Sequence, residues 1–195
     1  IKTDGSIHIT LIDPEKVTVQ QATKIVENAN SSGTAAIMIG GSTFVSQSHL
    51  DDVLKAIRET VKIPTILFPN NITGISRHAD AIWFMSLLNS VDPYFLVGAQ
   101  ILGAPLVKKF GLEPISMGYI IVGEGGTAGI VGKAIPVPYN KPELAAAHAL
   151  AGQYLIRVYP KSPSIFNHYS IYFYAFPTLY LLVYHVLKLL FDQTY

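Results

Sequence analysis

Cysteine is absent from this sequence, and beyond Gly152 so is glycine. The first absence excludes disulfides and thiolate metal sites and leaves the compartment open. The second says more. All 15 glycines lie at or before position 152, while residues 163–195 carry six of the eleven Tyr, four of the nine Phe and one acid, Asp192. A globular domain rarely changes vocabulary this way, so 1–160 read as one domain and 161–195 as an atypical apolar tail. Charge of one sign is also lacking. Fourteen basic residues stand against thirteen acidic, with no basic block or stripe, so the electrostatic footprint of a nucleic-acid binder is missing. No charged and apolar signal segment precedes the first apolar run, which makes the cytoplasm the expected location.

At 195 residues and 50 % hydrophobic content the chain can bury one sizeable core. Residues 6–12 read as a strand, followed by Thr18 and Gln21 at the spacing of a capping box and by Val19, Ala22, Ile25, Val26 and Ala29 at helical period. "AAIMI" (35–39) is a strand apolar on both faces and ends in "GGS". The cycle repeats. A helix begins near Ser48 and Asp51, with Leu50, Val53, Leu54 and Ile57 on one stripe; "PTILF" and "ADAIWFM" are the next strands. Asp92-Pro93 opens a helix containing Pro105, "ISMGYIIV" is a fifth strand, Pro142 and Glu143 open an alanine-rich helix to about Gly152, and "YLIRVY" is a sixth strand. Six βα units with polar strand tips predict an α/β fold with a parallel sheet, a (β/α)8 TIM barrel ahead of a doubly wound sheet. The barrel is incomplete, since the aromatic tail stands where the last two units belong.

The tips hold the candidate chemistry: Asp13, Gly40 to Ser42, Asn70 and Asn71, Asn89 and Ser90, and Glu124. Asp13 in "HITLIDPEK" either turns the chain or offers a hard carboxylate oxygen to Mg²⁺, an ion that takes one or two carboxylates plus substrate phosphates. "IGGS" (39–42) is a plain turn, or a place where Gly40 and Gly41 let an anion approach backbone N–H groups while the Ser42 hydroxyl ligates a cation or phosphate. Both sit on one rim, one βα unit apart, which favours a Mg²⁺–phosphate site over two unrelated turns. "GEGGTAGIVG" (123–132) matches neither the P-loop nor the dinucleotide fingerprint and reads equally as a loose loop or a substrate lid. The six histidines show no metal-ligand spacing and read as surface or packing residues.

Taken in order, "DGSIHITLIDPEK", "AAIMIGGS", "ILFPNN", "ADAIWFMSLLNS" and "EPISMGYIIV" closely resemble the geranylgeranylglyceryl phosphate synthase family over residues 2–159. The resemblance implies a Mg²⁺-dependent prenyltransferase on a modified TIM barrel. It joins geranylgeranyl diphosphate to the sn-3 hydroxyl of sn-glycerol 1-phosphate, the first ether of archaeal membrane lipids. It implies Asp13 and Ser42 as the magnesium positions and Gly40, Gly41 and Tyr159 as substrate-binding positions; no catalytic residue is assigned. Homo-oligomers and contact with a membrane surface are both compatible with it.

The chain departs from the family after Tyr159. The family's "YLEAGSG", which holds the glycerol phosphate and supplies a glutamate to the acceptor hydroxyl, is replaced by "YPKSPSIF". Three readings compete for the tail: a membrane anchor over the 21 residues 171–191, a genuine replacement of the last units, and a lost reading frame, which the sudden change in composition favours. Weak or absent transfer by this chain is therefore expected. An inactive truncated barrel with a membrane-associating tail is the alternative. A different phosphate-handling barrel ranks lower, because Lys16 and Lys133 lie beyond the strand tips.

Overall fold

The computed structural model describes residues 7–42 and 46–156, and the backbone of 171–175 and 180–182. The chain divides into two compact units, Ile1–Trp83 with Leu102–Pro114, and Phe84–Ile101 with Ile115–Tyr195.

In the first unit, β1 (Ile9–Ile12), β2 (Ala36–Ile39), β3 (Thr65–Leu67) and the start of β4 (Ala81–Leu87) form a parallel ladder in chain order. A doubly wound sheet reverses strand order at its switch point; a (β/α)8 barrel does not, and this ladder follows the barrel rule. All four residues of β2 are buried, as its unbroken apolar run requires. The helix α1 (Val19–Ser31) starts at a complete capping box. The Thr18 hydroxyl accepts the Gln21 N–H at 3.2 Å, and Gln21 Oε1 accepts the Thr18 N–H at 2.8 Å. The next helix, α2 (Gln47–Thr60), buries Leu50, Val53, Leu54 and Ile57, each worth roughly 1.5–3 kcal/mol of transfer energy. Trp83 is buried and donates its indole N–H to Met38 Sδ at 3.0 Å. Below β3, Asp80 Oδ2 accepts both the N–H and the hydroxyl of Thr65, at 2.8 and 2.9 Å.

The register fixes what meets at the strand tips. Ile12 pairs with Ile39, and Ile39 with Leu67, so the residues that follow leave the sheet at one level. At the two ends of β1, the carbonyls of His8, just before it, and of Ile12 accept N–H groups from Ala35 and Gly40, at 2.8 and 3.0 Å. Since backbone groups alternate sides along a parallel strand, Ile9 and Leu11 turn theirs away from β2.

In the second unit, Leu88, just past β4, donates its N–H to the Tyr119 carbonyl of β5 (Glu113–Ile121) at 2.8 Å. β5 pairs in parallel with β6 (Ile171–Ala175), which pairs antiparallel with β7 (Tyr180–Leu182). A five-residue π turn, Tyr94–Gly98, leads into α3 (Ala99–Phe110), which contains Pro105 as expected. The glycine-rich 123–132 stretch folds as the short helix α4 (Gly126–Val131) rather than a loose loop.

Two boundaries differ from expectation. α2 starts at Gln47, ahead of Ser48 and Asp51. The larger correction concerns the sixth strand, expected over 154–159. α5 (Pro142–Ile156) runs past Gly152, so Tyr154, Leu155 and Ile156 are helical, and 157–159 lie outside the described residues. Gly152 is buried on the stripe of Ala145 and Ala149, where a small residue packs, and a helical glycine costs only about 1 kcal/mol. Tyr154 and Leu155 are 66 % and 73 % exposed, which a doubly covered strand would not tolerate. Within the apolar 171–191 stretch, the described residues are those of β6 and β7; among the described residues no helix is long and apolar enough to cross a membrane.

Candidate functional site

Asp13 follows directly on the last residue of β1 and caps a single 3-10 turn, Pro14–Lys16. Pro14 fixes φ and has no N–H, so the turn closes on the next two amides. Glu15 N–H donates to Asp13 Oδ1 at 3.2 Å, and Lys16 N–H to the Asp13 carbonyl at 3.0 Å. The other carboxylate oxygen, Oδ2, meets Lys16 Nζ at 3.1 Å; the Asp13 side chain is 17 % exposed and that of Lys16 80 %. Lys16, set aside as lying beyond the tips, thus touches the tip carboxylate.

Gly40 and Gly41 leave β2 beside this turn, and each has its own steric reason. A Cβ on Gly40 would lie 1.9 Å from the Phe68 carbonyl oxygen, because β2 and β3 approach closely there. Its N–H donates to the Ile12 carbonyl. Gly40 therefore packs the tips together and has no amide left for an anion. Gly41 does: its N–H has no partner among the described residues. A Cβ on Gly41 would fall 2.6–2.8 Å from all three atoms of the Asp13 carboxylate, so glycine here makes the cradle in which that carboxylate sits. Ser42 is half-buried and follows at once. The structure thus brings Asp13 against Gly41, with Ser42 next in the chain. Tyr159 lies outside the described residues.

The remaining tip residues do other work. Asn71 caps the 3-10 turn Ile72–Gly74, accepting the Thr73 N–H at 2.8 Å and hydroxyl at 2.6 Å. Asn89 is buried and internal. Its Nδ2 donates to the carbonyls of Ile121 and Ile135, at 2.9 and 2.8 Å, and its Oδ1 accepts the Ile121 N–H at 3.1 Å. Ser90 donates to the Gly132 carbonyl at 2.7 Å. Glu124 is exposed. Lys133 Nζ meets Asp92 Oδ2 at 2.7 Å; this bond and the Tyr94 N–H, donated to Asp92 Oδ1, hold the Asp92 carboxyl below its ordinary pKa.

Sequence reasoning missed His49. Its Nε2 lies 2.9 Å from the Pro14 carbonyl and 3.0 Å from that of Val17, on the turn that carries Asp13. Its reach across 35 residues left no local signal in the sequence.

Strands in chain order, with a carboxylate in a glycine cradle at one strand tip, define a barrel-type α/β protein whose polar chemistry sits at the C-terminal ends of its strands. Residues 1–159 match the PcrB family, and the chain belongs to that family. It is 53 % identical over 155 residues to the geranylgeranylglyceryl phosphate synthase of Thermofilum pendens, covering 80 % of this chain and 61 % of that protein. With the synthase of the same name from Methanothermobacter marburgensis the identity is 57 % over 152 residues, covering 78 % and 62 %. Among solved structures, (S)-3-O-geranylgeranylglyceryl phosphate synthase from Thermoplasma acidophilum, in complex with its substrate sn-glycerol-1-phosphate, superposes with a TM-score of 0.75 at 39 % identity, covering 78 % of this chain and 62 % of that one. The wild-type enzyme of Thermoplasma volcanium gives 0.74 at 43 %, covering 76 % and 60 %. The chain thus spans about three fifths of the length of the relatives it matches, and the family match ends at Tyr159.

Proposed function

We propose that this chain carries the donor half of a prenyltransferase site, in which Asp13 and Ser42 hold Mg²⁺ and the Gly41 amide faces the diphosphate of a geranylgeranyl donor. The carrying observation is the Asp13 carboxylate seated within 2.6–2.8 Å of where a Gly41 Cβ would stand. The donor set suits the ion. Asp13 and Ser42 offer hard oxygens, one carboxylate and one hydroxyl. That matches a cation that completes its shell with water and substrate phosphate oxygens. When bound, Mg²⁺ would neutralise charge on the leaving diphosphate. The protein's own part is to fix the Asp13 oxygens by the Glu15 amide and to keep the Gly41 N–H available.

The acceptor is sn-glycerol 1-phosphate, by analogy with the relatives, and its sn-3 hydroxyl attacks the prenyl carbon as the C–O bond to diphosphate breaks. Since "YPKSPSIF" stands where the family's acceptor loop belongs, the chain binds donor and transfers poorly. This would place the protein in ether-lipid synthesis in the cytoplasm. Calorimetric titration of geranylgeranyl diphosphate with and without Mg²⁺, run beside a transfer assay with glycerol 1-phosphate, tests the reading. Magnesium-dependent donor binding with little product is expected. Donor binding indifferent to magnesium and to Asp13→Asn would overturn it.

A further inference from the structure

We propose that His49 is a positioning residue for the Asp13 carboxylate, acting through the carbonyls of Pro14 and Val17. The proposal rests on the reading of Asp13 as the metal carboxylate and adds the group that holds it. The turn from Asp13 to Thr18 is pinned at both ends. Two amides close on Asp13, and the Thr18–Gln21 capping box anchors the far end. Between them, the Pro14 and Val17 carbonyls point out of the turn and share one donor, His49 Nε2. Both partners are carbonyls, which only accept, so the proton sits on Nε2.

The origin of that donor matters. His49 is the third residue of α2, counted from its N-cap Ser46. In a capping box this position carries Glu or Gln and accepts the N-cap N–H. Here the imidazole turns to the Asp13 turn instead, and Glu15, from that same turn, supplies the acceptor: Ser46 N–H donates to Glu15 Oε1 at 3.0 Å. The exchange is reciprocal. The helix gives a donor to the turn, and the turn gives a carboxylate to the positive end of the helix. Through it the position of Asp13 is tied to the start of α2 as well as to its own strand. Groups that hydrogen-bond a metal's ligands directly are commonly worth about 10–100-fold in its affinity, and His49 acts on the Asp13 ligand through the backbone of its turn.

The experiment uses the full chain, Mn²⁺ as a paramagnetic probe with inorganic pyrophosphate, and amide exchange at Lys16, whose N–H closes the turn. In His49→Leu, Mn²⁺ affinity should fall about tenfold or more and Lys16 exchange should accelerate. His49→Gln, whose Nε2 amide offers two donors, should restore both to near the wild-type values, although the two variants melt together. Glu15→Gln should loosen the same amide by a smaller factor. Wild-type Mn²⁺ affinity in His49→Leu, with Asp13→Asn losing it, would overturn the role of His49 and leave the Asp13 reading standing. If the wild-type chain binds Mn²⁺ no better than Asp13→Asn, the metal reading fails. Lys16 exchange then decides alone: acceleration in His49→Leu supports the positioning, and unchanged exchange overturns it.

Discussion

The Asp13 carboxylate fills the place a Gly41 side chain would need, with Oδ1 2.6 Å from where its Cβ would stand. Two residues that follow neighbouring strands thus share one position, and a side chain at 41 can enter only by displacing the carboxylate.

Gly41→Ala should therefore act on ligand binding, and Gly40→Ala on folding. The Gly41 variant must push the carboxylate out of its cradle, lowering Mn²⁺ affinity about as far as Asp13→Asn does, with a small change in thermal midpoint. The Gly40 variant must move its new Cβ, which would stand 1.9 Å from the Phe68 carbonyl oxygen, and so part the two segments, costing about 1–3 kcal/mol of overpacking. Mn²⁺ titration and urea denaturation, run on both variants, separate the two effects.

Lys16→Met removes the ammonium from Asp13 Oδ2. With Lys16 80 % exposed, the pair is worth about 0–1 kcal/mol, so stability should barely move. Metal binding in the absence of pyrophosphate should tighten, because the cation no longer competes with the side chain for the same oxygen. A weakened Mn²⁺ affinity in this variant would contradict that competition.

Asn89→Ala should be costly. It leaves the buried Ile121 N–H without its acceptor and the Ile135 carbonyl without its donor, for a loss of roughly 3 kcal/mol in urea unfolding. Since this residue is internal, its loss should leave Mn²⁺ affinity unaltered wherever the variant remains folded.

The Asp92–Lys133 pair predicts an acid-side effect. The folded-state pKa of Asp92 lies below its ordinary value, chiefly through the hydrogen bond from Lys133 and then that from the Tyr94 amide. The unfolded chain therefore takes up its proton first as pH falls, and the stabilisation is complete above the ordinary value and disappears as pH drops through the lowered one. The gap in urea midpoint between wild type and Lys133→Met should be level from about pH 5 to 7 and shrink below about pH 4.

Legibility in the sequence followed the physics of each feature. β2 and α1 were readable because an unbroken apolar run and a capping box are local patterns, and the structure shows both. Asp13 was readable as a carboxylate at a strand tip, and its closeness to "GGS" followed from the parallel register. What the glycines do was not. Gly40 answers to the Phe68 carbonyl, 28 residues on, and Gly41 to Asp13, 28 residues back, contacts that exist only once the strands pair. Asn89 looked like a rim residue because a polar side chain after a strand does not announce that three backbone groups await it inside. The helix α5 overran its expected stop because Gly152 packs against its surroundings instead of turning the chain, and a lone glycine carries no mark of which it will do.

The ladder of the first unit has a consequence for how the chain is made. Each strand from β2 to β4 is laid beside the one synthesised just before it, so every pairing closes a short stretch of chain and none waits for a distant segment. The residues that make the Asp13 cradle, and the His49 that reaches its turn, all lie within the first 49 positions, so the site draws on no segment beyond α2.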